Sequence, residues 1–257
     1  MSKNIVLIFA LITALFLLYS VVGRTPTATG YLQNTSTPHY YGKATVPIDR
    51  IEIVGLYFVP KDRTNSAISD WKEVFSAQFE KLKAFHEVQF LGRSSITYTF
   101  LPDIVVGQEK AGVYEVVTAS HTDPLSIEPI AREISARLLD PAGDLWLFGK
   151  EHPATGARRV YLIMFEGDGA AGNGDVALIS RAFLTDTAYA PFATTFMAHE
   201  FYHTLGLPDA YQSSSYVFQD AQQTQVGLLE SEDIMGRVRV PIEYTYLDRE
   251  SLSAMGI

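Results

Sequence analysis

The sequence predicts an α+β domain: a twisted mixed sheet in an α/β-like upper part, and a smaller C-terminal part. Three observations carry this. Residues 51–59 form a short β-rich apolar run. Ile68, Trp71, Phe75, Phe79, Leu82 and Phe85 then recur at three- and four-residue intervals, the period of an amphipathic helix. Residues 160–165 (Val-Tyr-Leu-Ile-Met-Phe) are uninterruptedly apolar, as a sheet strand covered on both faces would be.

Taken in order, the chain opens with an apolar run over residues 5–22, preceded by Lys3 and followed near its end by Arg24. That layout suits an export signal occupying residues 1–23, and the same run is about long enough to span a bilayer as an uncleaved membrane anchor. Both readings take the chain out of the cytoplasm. Residues 24–46 are rich in Thr, Ser, Pro, Gly and Tyr without helical or strand period, and are expected to be a flexible linker or stalk. The folded domain is expected over residues 47–257.

Within it, the run at 51–59 is the first strand, the Ile68 to Phe85 pattern a long helix, and the alternation over 96–101, stopped by Pro102, a second strand. A strand, a helix and a strand in this order predict a βαβ unit with a parallel pair. A shorter helix follows over 128–139, ended by Asp140-Pro141-Ala142-Gly143, and residues 145–148 offer a further pairing segment. The glycine-rich stretch 167–174 lacks the Lys-Ser/Thr ending of a phosphate loop and leads into a strand at about 176–180, so it is expected to be a flexible hairpin-like connection. A helix then starts around Pro191, runs to about Leu205 and stops at Gly206. A last helix is expected over 247–255.

Composition narrows the function. The chain has 257 residues, 47% hydrophobic and 19% charged, enough for one sizeable core. Its formal net charge of -9 argues against a nucleic-acid partner, which needs a basic face to neutralise phosphates. It has no cysteine, so a disulfide framework and cysteine ligation are both excluded.

The chemistry concentrates in His199-Glu200-Phe201-Tyr202-His203-Thr204-Leu205-Gly206-Leu207-Pro208-Asp209. On a helix, His199 and His203 lie one turn apart on one face, so two neutral imidazoles can converge on a Zn2+ ion. Glu200, beside the first of them, can reach a zinc-activated water as general base and return the proton to a leaving amine as general acid. Gly206 permits the left-handed turn that swings the chain back, which lets Asp209 supply a third ligand. The competing reading is two packing histidines and a turn aspartate. His-Glu-x-x-His arises by chance in about one per cent of chains of this length at average composition, and the added Gly206 and Asp209 make chance a poorer account.

This His199-Glu200-x-x-His203-x-x-Gly206-x-x-Asp209 stretch resembles the metzincin zinc-peptidase signature, in the variant with aspartate as the third ligand that snapalysin-like and immune-inhibitor-A-like peptidases share. Asp233-Ile234-Met235-Gly236, downstream of it, resembles the methionine turn of the same family. The resemblance implies a zincin fold, Met235 packed beneath the metal without ligating it, and a protein or peptide substrate held in extended form along an antiparallel sheet edge. Residues 176–181 are the candidate for that edge. Some metzincins carry a tyrosine two residues after the methionine, where this chain has Arg237. The oxyanion partner is therefore open among Tyr211, Tyr216, Tyr244, Arg237 and the metal alone.

Two rivals stand beside the zinc endopeptidase. A thermolysin-like arrangement would take Glu230 or Glu232 as third ligand instead of Asp209. A non-catalytic extracytoplasmic binding module would use zinc only to brace the fold. Asp168 and Asp175 in the glycine-rich stretch are too sparse for a calcium loop, and His39, His86, His121 and His152 are read as surface or packing residues. The sequence leaves the oligomeric state open.

Overall fold

A computed structural model of the chain describes residues 36–115, 127–138, 156–210, 232–236 and 239–257. The export segment 1–23, the linker up to residue 35, the turn at 140–143, residues 145–148, His121, His152, Tyr211, Tyr216, Glu230 and Arg237 lie outside the described residues.

The central sheet has the strand order β4-β3-β6-β8-β7, with β3 spanning Arg50–Val59, β4 Ser95–Phe100, β6 Arg158–Phe165, β7 Ala170–Asn173 and β8 Val176–Ser180. β3 pairs in parallel with both β4 and β6, and β6 with β8. The parallel pair expected from the first strand, helix and second strand is thus present. A short strand β5, Val105–Val106, extends the far end of β3. Among the described strands of this sheet, only β7 runs antiparallel, and it forms the edge beyond β8.

Alternation along the strands sends residues to two cores. Ile51, Ile53, Tyr57 and Val59 of β3, Val160, Leu162 and Met164 of β6, and Ala177 and Ile179 of β8 face one side. There they meet α1, Trp71–Gln89, and the helix that bears the histidines, α5, Ala193–His203. Val54, Leu56 and Phe58, with Tyr161, Ile163 and Phe165, face the other side. That side is covered from α2, Ala111–Tyr114, and α3, Ile127–Leu138, through Tyr114, Ile127, Ile130 and Ile134. Helices on both faces explain why β6 carries no polar alternation.

The helical period seen from Trp71 to Phe85 is the buried stripe of α1, and full burial of each such side chain is worth about 1.5–3 kcal/mol. A one-turn-long helix α4, Arg181–Thr185, follows β8, capped by Ser180, whose hydroxyl accepts from the Ala182 N–H at 3.2 Å. Pro191 lies in a short turn of tighter helix, Ala190–Phe192, that leads into α5. The C-terminal part ends in α6, Arg249–Ala254, with Asp248 as its N-cap.

Two expectations are corrected. Residues 36–46, expected as the end of a flexible linker, contain β1, His39–Tyr40, which pairs with β2, Lys43–Pro47. This hairpin is tied to the rest of the fold by Tyr41 N–H to Leu205 O (3.0 Å) and His39 N–H to Met255 O (3.0 Å). The folded unit therefore extends from Ser36 to Ile257. Second, residues 176–181 are no sheet edge: β8 is paired on both sides, by β6 and by β7. Among the described strands the edge is β7, inside the stretch expected to be a connecting loop.

Among the described residues, no helix is long and apolar enough to cross a membrane.

Candidate metal centre

Helix α5 ends in a way that turns the chain back toward its own side chains. The Gly206 N–H donates to His203 O (3.0 Å) and the Leu207 N–H to Tyr202 O (3.2 Å), the paired bonds of a Schellman cap. Gly206 has φ +90°, a conformation that costs a side-chain-bearing residue about 1 kcal/mol or more. The glycine expected to stop the helix does so. Three residues later, Asp209 is buried, with its carboxylate against the face of α5 that carries His199 and His203.

Three atoms converge there. His199 Nε2 and His203 Nε2 are 3.2 Å apart, and Asp209 Oδ1 lies 3.1 Å from the first and 3.2 Å from the second. The other nitrogen of each ring is already committed: His199 Nδ1 lies 2.7 Å from Ile234 O and His203 Nδ1 2.8 Å from Leu207 O. A carbonyl oxygen only accepts, so both Nδ1 atoms carry hydrogen and donate. In the neutral rings, that leaves each Nε2 as a bare lone pair aimed at the other and at a carboxylate oxygen.

Three such acceptors at 3.1–3.2 Å repel one another unless positive charge lies among them. Without metal, protons are the available charge. Burial disfavours a charged His199, but its hydrogen bond with Asp209 and the nearby Glu200 charge outweigh that and push its pKa up to about 9. Burial likewise opposes ionisation of Asp209, yet the hydrogen bonds from His199 and His203 prevail and hold its carboxyl below the usual carboxylate range. A divalent ion fits the same space. Zinc–ligand bonds of about 2.0–2.1 Å at tetrahedral angles put neighbouring donors about 3.3 Å apart, close to the spacing found here. The hydrogen bonds from Nδ1 to backbone carbonyls are the orienting contacts that metal-binding imidazoles use.

Glu200 completes the group, with a carboxylate oxygen within 4.8 Å of imidazole nitrogens of both histidines. Burial raises its pKa, Asp209 adds to the rise, and the two histidines oppose it. The edge strand β7 passes close by. A Cβ on Gly172 would lie 2.8 Å from His203 Cβ and would collide with the Glu200 carbonyl, so glycine is what allows the strand this near to the helix.

Met235 is buried in a turn in which its N–H donates to Asp233 Oδ1 (2.9 Å) and the Gly236 N–H to Asp233 O (2.8 Å). The turn reaches the centre through Ile234 O, the partner of His199. It is anchored on two sides, by Ala210 N–H to Met235 O (2.9 Å) and by Ile234 N–H to Tyr246 O (2.8 Å).

Other residues considered from sequence are not brought to this group. Glu232 is exposed, in contrast to the buried Asp209, and Tyr244 is 64% exposed. Asp175 forms an ion pair with Arg158. His86 is a fully buried core residue between Ser94 Oγ (2.7 Å from Nε2) and Tyr202 Oη (3.3 Å from Nδ1), not a surface one. Sequence reasoning missed Leu207 and Ile234, because they act through backbone carbonyls that any residue would offer. It also missed Gly172, whose one signal was a glycine within a short run between two strands.

A scan of the chain against protein-family models finds no match, and a search of curated proteins finds none either.

Proposed function

We propose that this chain is an exported, zinc-dependent endopeptidase of metzincin type. The observation that carries the reading is the triangle of His199 Nε2, His203 Nε2 and Asp209 Oδ1, with edges of 3.1–3.2 Å, beside the Glu200 carboxylate. His199, His203 and Asp209 would hold the ion. When bound, zinc supplies Lewis acidity toward a water and the substrate carbonyl. Glu200 would take the proton of the attacking water on a carboxylate oxygen and deliver it to the departing amine.

The remaining features fit that role. β7 leaves one side of its backbone unpaired by any described strand, so an extended peptide can add to it as a further strand. The approach of Gly172 to α5 sets such a peptide alongside Glu200 and His203. The turn around Met235 serves as the floor and orients His199 through Ile234. A thermolysin-like set with Glu232 is disfavoured by the exposure of that residue and by the contacts of Asp209 with both imidazoles. The apolar run at residues 5–22 would either direct secretion or hold the enzyme on the outer face of the membrane.

The test is digestion of a broad peptide library by the purified chain, with and without a zinc chelator. Cleavage that the chelator abolishes, and that Glu200→Gln abolishes without loss of bound zinc, is the expected result. Zinc uptake without cleavage of any peptide would favour a binding module braced by zinc.

A further inference from the structure

The hairpin of β1 and β2 continues directly from the N-terminal segment, and it lies on the turn that carries the chain from His203 to Asp209. That turn follows the end of a helix, where backbone carbonyls have no partner within the helix. Two carbonyls of this stretch are taken by groups from elsewhere in the chain and a third by the imidazole of His203 itself. Arg158 donates to Thr204 O (3.3 Å), the Tyr41 N–H donates to Leu205 O (3.0 Å), and His203 Nδ1 donates to Leu207 O (2.8 Å).

Gly206, among them, has no side chain, and the ring of Tyr40 occupies the space. A Cβ added to Gly206 would lie 2.6 Å from Tyr40 Cζ. Cations lie over the same ring, Lys43 Nζ and Arg158 Cζ each 5.0 Å from its centroid. Arg158 in turn is paired with Asp175, immediately before β8. The hairpin is fixed at its other end too, by Ser36 Oγ to Gly256 O (2.9 Å), while Arg93 donates to Gly256 O (2.8 Å).

We propose that the strap of residues 36–48 is a positioning element of the metal centre, with Tyr40 as its contact: it holds the Gly206 turn in the one shape that brings Asp209 Oδ1 to both imidazoles. This rests on the zinc reading. A strap that merely covers the core would stabilise the fold and leave metal affinity unchanged. A strap that positions Asp209 controls affinity as well, because a third ligand presented out of place forfeits part of the binding free energy to ordering.

The experiment uses the full chain and measures zinc affinity by competition with a chromogenic chelator, together with melting temperature in zinc and in chelator. Tyr40→Ala is expected to weaken zinc binding about tenfold or more, the effect typical of removing an orienting contact, and to shrink the rise in melting temperature that zinc produces. Tyr40→Phe keeps the ring and is expected to bind as the wild type does. Should Tyr40→Ala fail to fold, Tyr40→Leu is expected to weaken zinc in the same direction. Wild-type affinity in the folded Tyr40→Ala or Tyr40→Leu chain, at whatever melting temperature, would overturn the proposal. Failure of the wild-type chain to take up zinc would instead overturn the zinc reading beneath it.

Discussion

Two buried charged groups in this fold make an instructive pair. Glu166, at the end of β6, accepts from Arg181 Nε at 2.6 Å and from a second guanidinium nitrogen at 2.9 Å, and also from the Tyr57 hydroxyl. Every acceptor there meets a donor, and the pair closes on itself. Burial and the hydrogen bond to Glu166 push the Tyr57 phenol up, and the same carboxylate raises Arg181. At His199, His203 and Asp209 the arrangement is inverted. The imidazole Nδ1 donors point outward to backbone carbonyls and, with both rings neutral, three acceptors face inward at 3.1–3.2 Å. A closed pair specifies structure, while inward-facing acceptors need added positive charge, from protons or from the proposed metal ion.

The largest effect that separates the two is chemical. Glu200→Gln is expected to slow peptide hydrolysis by about 10²- to 10⁴-fold while zinc stays bound, measured as turnover and metal content of the same preparation. Next comes Glu166→Gln, which leaves the Arg181 charge without its partner. Stability should fall by about 3 kcal/mol in urea denaturation, with zinc affinity unchanged. A change in zinc affinity in that variant would break the contrast.

A smaller effect concerns pH. Burial holds His86 neutral and lowers its pKa from 6.5 to about 3. As pH falls below about 6.5 the unfolded chain gains a proton that the folded chain refuses. The stability that His86 contributes is therefore fully present above that value and is lost as pH falls toward about 3, by up to about 1.4 kcal/mol per pH unit. Melting curves at pH 7 and pH 5 in chelator, compared with the same curves for His86→Leu, should show the steeper decline in the wild type.

Much of this was legible in the sequence where side-chain pattern decides the structure. The apolar runs of β3 and β6 and the stripe of α1 follow from period alone, because each buries a face. The spacing His199, Glu200, His203, Gly206, Asp209 was likewise informative, since one helical turn and one left-handed residue suffice to bring these side chains together. What was not legible depends on distant partners. β1 and β2 are mostly exposed and have no apolar period; they are held by bonds to Leu205 and Met255. β7 is Ala-Ala-Gly-Asn, with none of the branched residues that mark a strand, and it exists because β8 offers it a ladder and Gly172 lets it approach α5. That is why the edge was expected one strand too far inward. Tyr40 resting on Gly206 joins residues far apart in sequence, and no local pattern announces it.

The proposed zinc site has Asp209 as its third ligand. A zinc competition titration of the wild-type chain beside Asp209→Ala tests it most directly. One tightly held zinc per wild-type chain is expected, with an affinity lower by about a hundredfold or more in Asp209→Ala, beyond the loss from an orienting contact. No zinc uptake by the wild type, or equal affinity in the two chains, would contradict it.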